Sequence, residues 1–327
     1  MRPSQTPAGP AVVVAGDALV DLTPARTATG DMAYQPHPGG SCLNVAVGLG
    51  RLGVPASLLA RISDDHFGDL LRAHLAESGT HLTHVLATSD PTTLAAVRLR
   101  DDGSAAYSFH ANGAADRGLR PEHLAAMPDA GRLPERAALH VGSLGLVLEP
   151  LASTLEGLLR READQRLVSL DPNVRPELIT DRSRYLRRFA EWVGFADVVK
   201  VSEEDLAWLC PGQPYERVAE HWLAAGAKCV LVTLGAQGAW AAGRTAHAYM
   251  PAPTVEVVDT VGAGDAFTAG ALAHLHWTDR LSPQGVAELS DGELARLLAY
   301  AVGIAADTCT RAGAQPPFHR DDVPIPS

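Results

Sequence analysis

The chain has 327 residues, of which 46% are hydrophobic and 20% are charged, and its formal net charge is −11. This composition indicates a globular protein with one large core or two smaller ones. The acidic balance argues against a nucleic-acid-binding surface, which needs a basic face. No apolar run approaches the roughly 18 residues of a membrane span, so we expect neither a signal peptide nor a membrane anchor. The four cysteines lack the spacing of a zinc site or a disulfide framework, so reduced thiols and a cytoplasmic protein are expected.

The first predicted element is a buried strand over residues 11–15, which ends in Gly16 and Asp17. Ligands bind at the carboxyl ends of strands in open α/β sheets, so Asp17 is a candidate for accepting hydrogen bonds from ligand hydroxyl groups. A plain role as a turn residue fits Asp17 equally well. Further along, Gly39 and Gly40 allow the backbone to approach a ligand closely, and Asn44 offers both a donor and an acceptor about one helical turn later.

Predicted strands and helices then alternate along the chain. The strands cover residues 58–62, 139–143, 167–170, 196–201 and 228–233, and the helices cover residues 67–78, 151–165 and 206–209. This alternation predicts an α/β protein with a doubly wound, mostly parallel sheet flanked by helices. No repeat or linker divides the chain, so residues 1–327 are predicted to form a single domain.

Two segments, residues 18–37 and 91–112, lack this strand-to-helix rhythm. Within the second, residues 92–99 and 105–109 alternate in hydrophobicity on either side of Asp101-Asp102-Gly103. An Asp-Gly pair between two such runs predicts a β-hairpin.

The most informative stretch is a glycine-rich turn at Gly262, Ala263 and Gly264. Residues 254–258 before it alternate and are rich in valine, which predicts a strand, and the apolar run after it predicts a buried helix. The first N–H groups of a helix have no helical partner and carry partial positive charge, so this turn is a candidate anion site. Asp265 follows in the first helical turn. A carboxylate there either caps the helix or takes a proton from a hydroxyl group that attacks a bound phosphate.

Asp259 and Thr260, followed by Gly262 through Asp265, resemble the C-terminal signature of the ribokinase-like (PfkB) sugar kinases. Pro38, Gly39 and Gly40, followed by Asn44, resemble the N-terminal signature of the same family, in the expected order. The resemblance implies a ribokinase-like fold in which residues 18–37 and 91–112 form a small β lid. It also implies that the γ-phosphate of ATP is transferred to a sugar hydroxyl group, with Asp265 as the general base and the backbone of residues 262–265 as the anion hole.

The resemblance further implies four sets of ligand contacts. The sugar is expected to contact Asp17, Gly39, Gly40, Asn44, Phe109 and Arg175. ATP is expected to contact Ser202, Thr233, Gly235, Gly238 and Gly264. Magnesium, held through water, is expected near Glu203 and Asp205, although this chain has Ser202-x-x-Asp205 where the family has Asn-x-x-Glu, and a capped helix with acidic first residues is the plainer interpretation. A monovalent cation, expected to be K⁺, is implied at Asp259, Val261, Thr308, Arg311 and Gly313.

Three segments favour fructose as the sugar, because residues 16–21, 113–116 and 171–175 look most like fructokinases. Kinases of 2-keto-3-deoxygluconate, ribose, nucleosides or sugar phosphates are the alternatives, and Arg98 and Arg175 offer guanidinium groups for an anionic substrate. Many 2-keto-3-deoxygluconate kinases have Tyr-Arg in the lid, whose cation meets the substrate carboxylate, where this chain has His110-Ala111. This difference disfavours 2-keto-3-deoxygluconate as the substrate.

Other functional classes lack support in the sequence. A dinucleotide-dependent oxidoreductase needs Gly-x-Gly-x-x-Gly after the first strand, which is absent here. A non-catalytic sugar-binding protein of the same fold is expected to lose Asp265 or the glycines, and both are present. Lid strands in this family often pair between subunits, so the resemblance offers a homodimer through the lid as the alternative to a monomer.

Overall fold

The computed structural model describes residues 11–99, 105–127 and 131–319. The strands are β1 (Val12–Ala15), β2 (Leu19–Arg26), β3 (Met32–Gly39), β4 (Ala56–Ser63), β5 (Val85–Thr88), β6 (Thr93–Leu99), β7 (Ala105–His110), β8 (Ala138–Gly142), β9 (Val168–Asp171), β10 (Val198–Ser202), β11 (Cys229–Thr233), β12 (Ala239–Gly243) and β13 (His247–Met250). The helices are α1 (Ser41–Arg51), α2 (His66–Glu77), α3 (Pro121–Ala125), α4 (Leu151–Glu162), α5 (Arg182–Phe195), α6 (Glu203–Leu209), α7 (Tyr215–Ala225), α8 (Ala263–Trp277), α9 (Pro283–Ala287) and α10 (Asp291–Cys309).

The larger sheet in this part of the chain has nine strands in the order β13-β12-β11-β10-β9-β8-β1-β4-β5. All pairs from β11 to β5 are parallel, and only β12 and β13 add antiparallel pairs at one edge. The strand order reverses direction at β1, which lies between β8 and β4. Side chains at the carboxyl end of β1 therefore lie at the switch point where α/β sheets bind ligands.

Each face of this sheet is covered by helices. Successive side chains of a strand point to opposite faces, and Val12 and Val14 accordingly belong to one hydrophobic core while Val13 and Ala15 belong to the other. Helices α1, α2, α8 and α10 contribute to the first core, and α4, α5 and α7 contribute to the second. The predicted doubly wound, mostly parallel α/β architecture is confirmed.

A second, smaller sheet has the order β3-β2-β6-β7 and is formed by the two segments that lacked the strand-to-helix rhythm. The antiparallel pairing of β6 with β7 confirms the predicted hairpin. Its turn, Asp101-Asp102-Gly103, lies outside the described residues, as does the side chain of Arg98. Since β2 begins only four residues after the end of β1, this sheet starts at the carboxyl end of the larger one.

The predicted strand over residues 254–258 is wrong, since these residues have no regular secondary structure. Val257 and Val258 are 59% and 60% exposed, and the N–H group of Val258 donates to the carbonyl oxygen of Cys309 instead of to a neighbouring strand. Pro251 and Pro253, which lack N–H donors, precede the segment and disfavour its pairing as an extension of β13. Across the residues that the model describes, no helix has the length and apolarity to cross a membrane.

Candidate active site

The carboxyl ends of the parallel strands and the smaller sheet surround a cavity of about 1240 Å³. It brings together most residues that the sequence predicted for the site, from segments far apart in the chain. The predicted site residues in its wall are Asp17, Gly40, Asn44, Phe109, Arg175, Ser202, Glu203, Asp205, Thr233, Gly235, Gly238, Val261, Gly262, Ala263, Gly264 and Asp265. Gly39, Asp259, Thr308, Arg311 and Gly313 are not part of this wall.

Helix α8 begins at the cavity, immediately after Gly262. Gly262 has φ of 77°, in the left-handed region that favours glycine, and a Cβ there would lie 2.8 Å from the Cα of Ala314. The backbone N–H group of Ala263 donates to the carbonyl oxygen of Thr260 at 3.2 Å. Those of Gly262, Gly264 and Asp265 have no partner in the described part of the chain. The start of α8 therefore offers free donors to an anion, but the N–H group of Ala263 is already used, contrary to the expectation that it serves the anion hole.

Asp265 lies in the first turn of α8 with 7% of its surface exposed. Its Oδ1 accepts a hydrogen bond from the hydroxyl group of Ser41 at 2.7 Å, and its Oδ2 accepts one from Nδ2 of Asn44 at 2.8 Å. Both partners lie in the first turn of α1, so the start of one helix orients the carboxylate at the start of another. The sequence pointed to Asn44 but not to Ser41, whose small hydroxyl group gave no signal of its own.

The surroundings of Asp265 set its protonation. Burial raises the pKa of Asp265 above its ordinary value, the hydrogen bonds from Ser41 and Asn44 work in the opposite direction, and the charges of Asp171 and Lys200 raise and lower it respectively. A carboxylate with a raised pKa is a stronger base than an exposed one, which suits a group that removes a proton from a hydroxyl.

Asp17 lies at the carboxyl end of β1 and is 1% exposed. Its Oδ2 accepts a hydrogen bond from the N–H group of Ser41 at 2.8 Å, whereas its Oδ1 is buried without a partner among the described groups. Burial raises its pKa to about 7, with a further contribution from Asp116. Gly40 has φ of 102°, and a Cβ there would lie 2.9 Å from Oδ2 of Asp17, so only glycine fits beside this carboxylate.

Two more carboxylates, which the sequence analysis did not single out, lie at the same end of the cavity. Asp21 lines it from β2, and burial raises its pKa to about 6, with further effects of Asp265 and Arg175. A Cβ on Gly39 would lie 2.9 Å from Cγ of Asp21, which explains why this position is occupied by glycine. Asp116 is 1% exposed and accepts hydrogen bonds from the hydroxyl group of Thr93 at 2.5 Å and from the N–H group of Arg117 at 2.7 Å.

Phe109 and Arg175 border this end as predicted, but Arg175 is committed to its neighbours. Its Nη1 donates to the carbonyl oxygens of Asn173 and Val174 and to Oδ1 of Asn173, at 2.7 to 3.1 Å. Phe109 packs beside Leu19, Ala95 and Leu144 in a small hydrophobic cluster.

The predicted nucleotide contacts lie at the other end of the cavity, at the carboxyl ends of β10 and β11. Thr233 ends β11, Gly235 begins a short turn with φ of 54°, and Gly238 closes it with φ of 109°. A Cβ on Gly238 would lie 2.7 Å from the backbone nitrogen of Ala252, so close packing also requires glycine at this position. Ser202 ends β10 and caps α6.

The two acids predicted to organise magnesium differ in their surroundings. Asp205 is buried, its Oδ1 accepts from the N–H group of Val174 at 2.7 Å, and its Oδ2 accepts from the backbone and hydroxyl groups of Ser202. These contacts match the capping interpretation of Asp205. Glu203 and the adjacent Glu204 are exposed in the cavity wall, and their oxygen atoms fit a magnesium ion held through water. Within the described residues, no group of three or more His, Cys, Asp and Glu side chains is placed to hold a metal directly.

The residues predicted for the monovalent cation fall into two groups. Asp259 accepts hydrogen bonds from the N–H groups of Val261 at 3.0 Å and Gly313 at 2.8 Å, which brings these three together behind the start of α8. Thr308 lies in α10, where its carbonyl oxygen accepts from the N–H group of Arg311, and the guanidinium of Arg311 pairs with Asp307.

The chain is similar to known carbohydrate kinases over most of its length. The model of the pfkB family of carbohydrate kinases matches residues 10–321. A fructokinase of Rhizobium leguminosarum bv. trifolii is 38% identical over 283 residues, which cover 86% of this chain and 85% of that protein. Among solved structures, fructokinase from Xylella fastidiosa with bound ATP matches with a TM-score of 0.84 and 29% identity over 94% of this chain and 95% of that one. Fructokinase from Vibrio cholerae O395, bound to fructose, ADP and a calcium ion, matches with a TM-score of 0.78 and 28% identity over the same shares.

The fold and the cavity thus define a ribokinase-like enzyme, and the chain belongs to the pfkB family of carbohydrate kinases. The resemblance seen in the two sequence signatures is confirmed, and so is the prediction of a sugar kinase.

Proposed function

We propose that this protein is an ATP-dependent fructokinase, which transfers the γ-phosphate of ATP to a hydroxyl group of fructose. The observation that carries the proposal is the position of Asp265, held by Ser41 and Asn44 beside the free N–H groups at the start of α8. A base and an anion site side by side are what phosphoryl transfer to a hydroxyl requires. The similarity to fructokinases with bound ATP and bound fructose supports the two substrates.

In the proposed reaction, the hydroxyl oxygen of fructose attacks the γ-phosphorus and forms the new P–O bond. The bond between that phosphorus and the β,γ-bridging oxygen breaks, ADP leaves, and the hydroxyl proton passes to Asp265. The N–H groups of Gly262, Gly264 and Asp265 stabilise the charge on the transferred group. Magnesium, when bound with ATP near Glu203 and Glu204, neutralises phosphate charge.

The charges at the sugar end favour a neutral substrate. Asp17, Asp21 and Asp265 line this part of the cavity, and Asp116 lies buried next to it. The one arginine in the described wall, Arg175, already donates to the carbonyl oxygens of Asn173 and Val174 and to the side chain of Asn173. Carboxylates accept hydrogen bonds from sugar hydroxyl groups but repel a carboxylate or phosphate, which argues against 2-keto-3-deoxygluconate and sugar phosphates.

We propose that the smaller sheet acts as a lid over the bound sugar. It connects to the larger sheet at Asp17, and Phe109 brings an aromatic side chain from it to the cavity. A lid over the sugar keeps water from the transferred phosphoryl group. We further propose that residues 1–327 act as one kinase domain in the cytoplasm, that K⁺ near Asp259 supports the anion site, and that any homodimer forms through the lid strands.

A coupled assay of ADP release tests the proposal directly. The purified protein is given Mg·ATP and, in turn, fructose, ribose, a nucleoside, 2-keto-3-deoxygluconate and fructose 6-phosphate. We expect the highest kcat/KM with fructose. A higher value with any other member of the panel would overturn the choice of fructose, and no sugar-dependent ADP release at all would overturn the kinase function.

A further inference from the structure

A buried lysine, Lys200, lies in the cavity wall beside the start of α8. Lys200 lies in β10 and is 4% exposed. Its Nζ donates to Oδ2 of Asp171, at the end of the neighbouring strand β9, at 2.8 Å. Among the described residues that line the cavity, Lys200 and Arg175 carry the positive side chains, and Arg175 is already occupied.

The ammonium group of Lys200 is next to the start of α8. A Cβ at Gly264 would lie 3.2 Å from Nζ of Lys200. An ammonium group has three N–H donors, and Asp171 is its hydrogen-bond acceptor in the part of the chain that the structure describes. The remaining donors are therefore available beside the free N–H group of Gly264.

The lysine is held in its charged form. Burial works to lower the pKa of Lys200, but the charges of Asp171 and Asp205 outweigh it, and the net shift is upward. A buried ion pair gives little net stability compared with apolar residues of the same size, so stability alone does not explain a charged pair in the wall of the cavity.

We propose that Lys200 is a catalytic residue, whose ammonium group donates to an oxygen of the transferred phosphoryl group alongside the N–H groups at the start of α8, and that Asp171 positions it. The lysine gives up no proton, since it only stabilises the charge while Asp265 accepts the hydroxyl proton. This inference rests on the proposed phosphoryl-transfer function.

The competing explanation is that Lys200 only neutralises Asp171. The double variant Asp171→Asn/Lys200→Met separates the two explanations, because it removes both charges and leaves no buried carboxylate without a partner. If neutralisation is the whole role, the double variant recovers the activity that Lys200→Met loses. If the ammonium group contacts the phosphoryl group, the double variant stays impaired.

We expect kcat to fall by about 10²–10³ in Lys200→Met, the usual cost of removing one donor to a developing oxyanion, and by a similar factor in the double variant. KM for fructose is expected to change less than about threefold, because the lysine acts on the phosphoryl group. Lys228→Met is the matched control, since Lys228 pairs with Asp197 at the opposite ends of β10 and β11. It removes a lysine that pairs with a buried aspartate away from the cavity, although Lys228 itself is one-third exposed, and its kcat is expected to stay within about threefold of the wild type.

The pH profile adds a readout of the charge that Lys200 places near Asp265. The charged groups that act on Asp265 are Lys200, Asp171, Asp17 and Asp21. Lys200 lowers the pKa of Asp265, so in Lys200→Met the acid limb of kcat/KM is expected to move to higher pH. In the double variant the effects of Lys200 and Asp171 disappear together, so the limb is expected to return toward the wild-type position while kcat stays low.

The outcomes distinguish this inference from the proposed function. Wild-type protein without sugar-dependent ADP release would overturn the function and the inference with it. An active wild type with a double variant within about threefold of its kcat would overturn the inference alone. Circular dichroism and thermal unfolding of each variant identify any that fail to fold, and in that case Lys200→Gln with Asp171→Asn replaces the double variant in the same comparison.

Discussion

The two ends of the cavity are built from different chemical groups. At the sugar end, side-chain carboxylates dominate, and Asp17 and Asp116 are fixed by hydrogen bonds from the start of α1 and from the smaller sheet. At the phosphate end, backbone N–H groups of α8 and one lysine dominate, while the acids there, Glu203 and Glu204, are exposed. Asp265 belongs to both ends.

The difference shows how an acidic protein binds ATP. Side-chain acids at the sugar end accept hydrogen bonds from hydroxyl groups, and the peptide backbone supplies positive potential where phosphate must bind. In the proposed reaction, specificity for the sugar therefore depends on carboxylates, and phosphoryl transfer depends on backbone geometry. Changes at either end are expected to affect different kinetic constants.

Among the glycine variants, the largest effect is expected from Gly262→Ala at the phosphate end. A Cβ at this left-handed residue would collide with Ala314 and shift the first turn of α8. We expect kcat to fall by about 10²–10³, as for the loss of an oxyanion donor, with KM for fructose nearly unchanged. Gly194→Ala, on an exposed position of α5 with room for a methyl group, is the control. An equal rise in KM for fructose would contradict the separation of the two ends.

The choice between neutral and anionic sugars tests the sugar end. At pH 8, above the pKa values of about 7 for Asp17 and about 6 for Asp21, both groups are charged and repel a phosphate group, and like charges in a binding site cost several kcal/mol. We expect kcat/KM for fructose 6-phosphate to be at least about 10²-fold below that for fructose, measured in the coupled assay. Comparable values for the two would mean that Arg175 leaves its present partners to bind the phosphate.

A smaller effect is expected from Gly39→Ala, which pushes on Asp21 without touching α8. Misplacement of a binding group by about 1 Å costs up to about 10²-fold, so we expect kcat/KM for fructose to fall by roughly 10- to 100-fold. KM for ATP should stay the same. The control is Gly157→Ala, an exposed helical position in α4 with nothing within 4 Å. A change in KM for ATP as large as that for fructose would count against the prediction.

The smallest effect concerns stability and pH at Asp17. Its pKa is raised from 3.8 to about 7 in the folded protein, so the folded state holds this proton more tightly than the unfolded chain does. That contribution to stability is complete below pH 3.8 and is lost as the pH rises to about 7. Asp17→Asn has no such loss, so its free energy of unfolding should exceed the wild-type value at pH 8, by on the order of 2–4 kcal/mol, and approach it at pH 5. Thermal unfolding at both pH values measures this, and a difference independent of pH would contradict it.

Local sequence patterns were sufficient to predict the turn that begins α8 and the alternation of strands with helices. Gly262 through Gly264 predict a helix start from consecutive residues, because a glycine turn before an apolar run is a local signal. Alternating strands and helices likewise predict a parallel sheet wherever they occur.

The remaining features depend on contacts between distant segments. Three residues at the cavity come from segments that are distant in the chain: Ser41, Asp116 and Lys200. Their roles depend on the packing of these segments around the cavity, and the spacing of residues in the sequence does not predict such packing. At residues 254–258 a local pattern was present but gave the wrong structure. An alternating apolar pattern fits a strand, but it also fits an irregular segment along a cavity. The antiparallel edge strands β12 and β13 and the long helix α10 also went unpredicted.

The measurement that tests the central claim most directly is the comparison of binding and turnover in Asp265→Asn. An amide there keeps the size of the carboxyl group and can still accept the hydrogen bond from Ser41, but it cannot accept a proton at neutral pH. We predict that calorimetry finds fructose and ATP binding within a few-fold of the wild type, while the rate of phosphoryl transfer falls by on the order of 10²–10⁴, typical of a lost general base. Near-normal transfer in this variant would contradict the account.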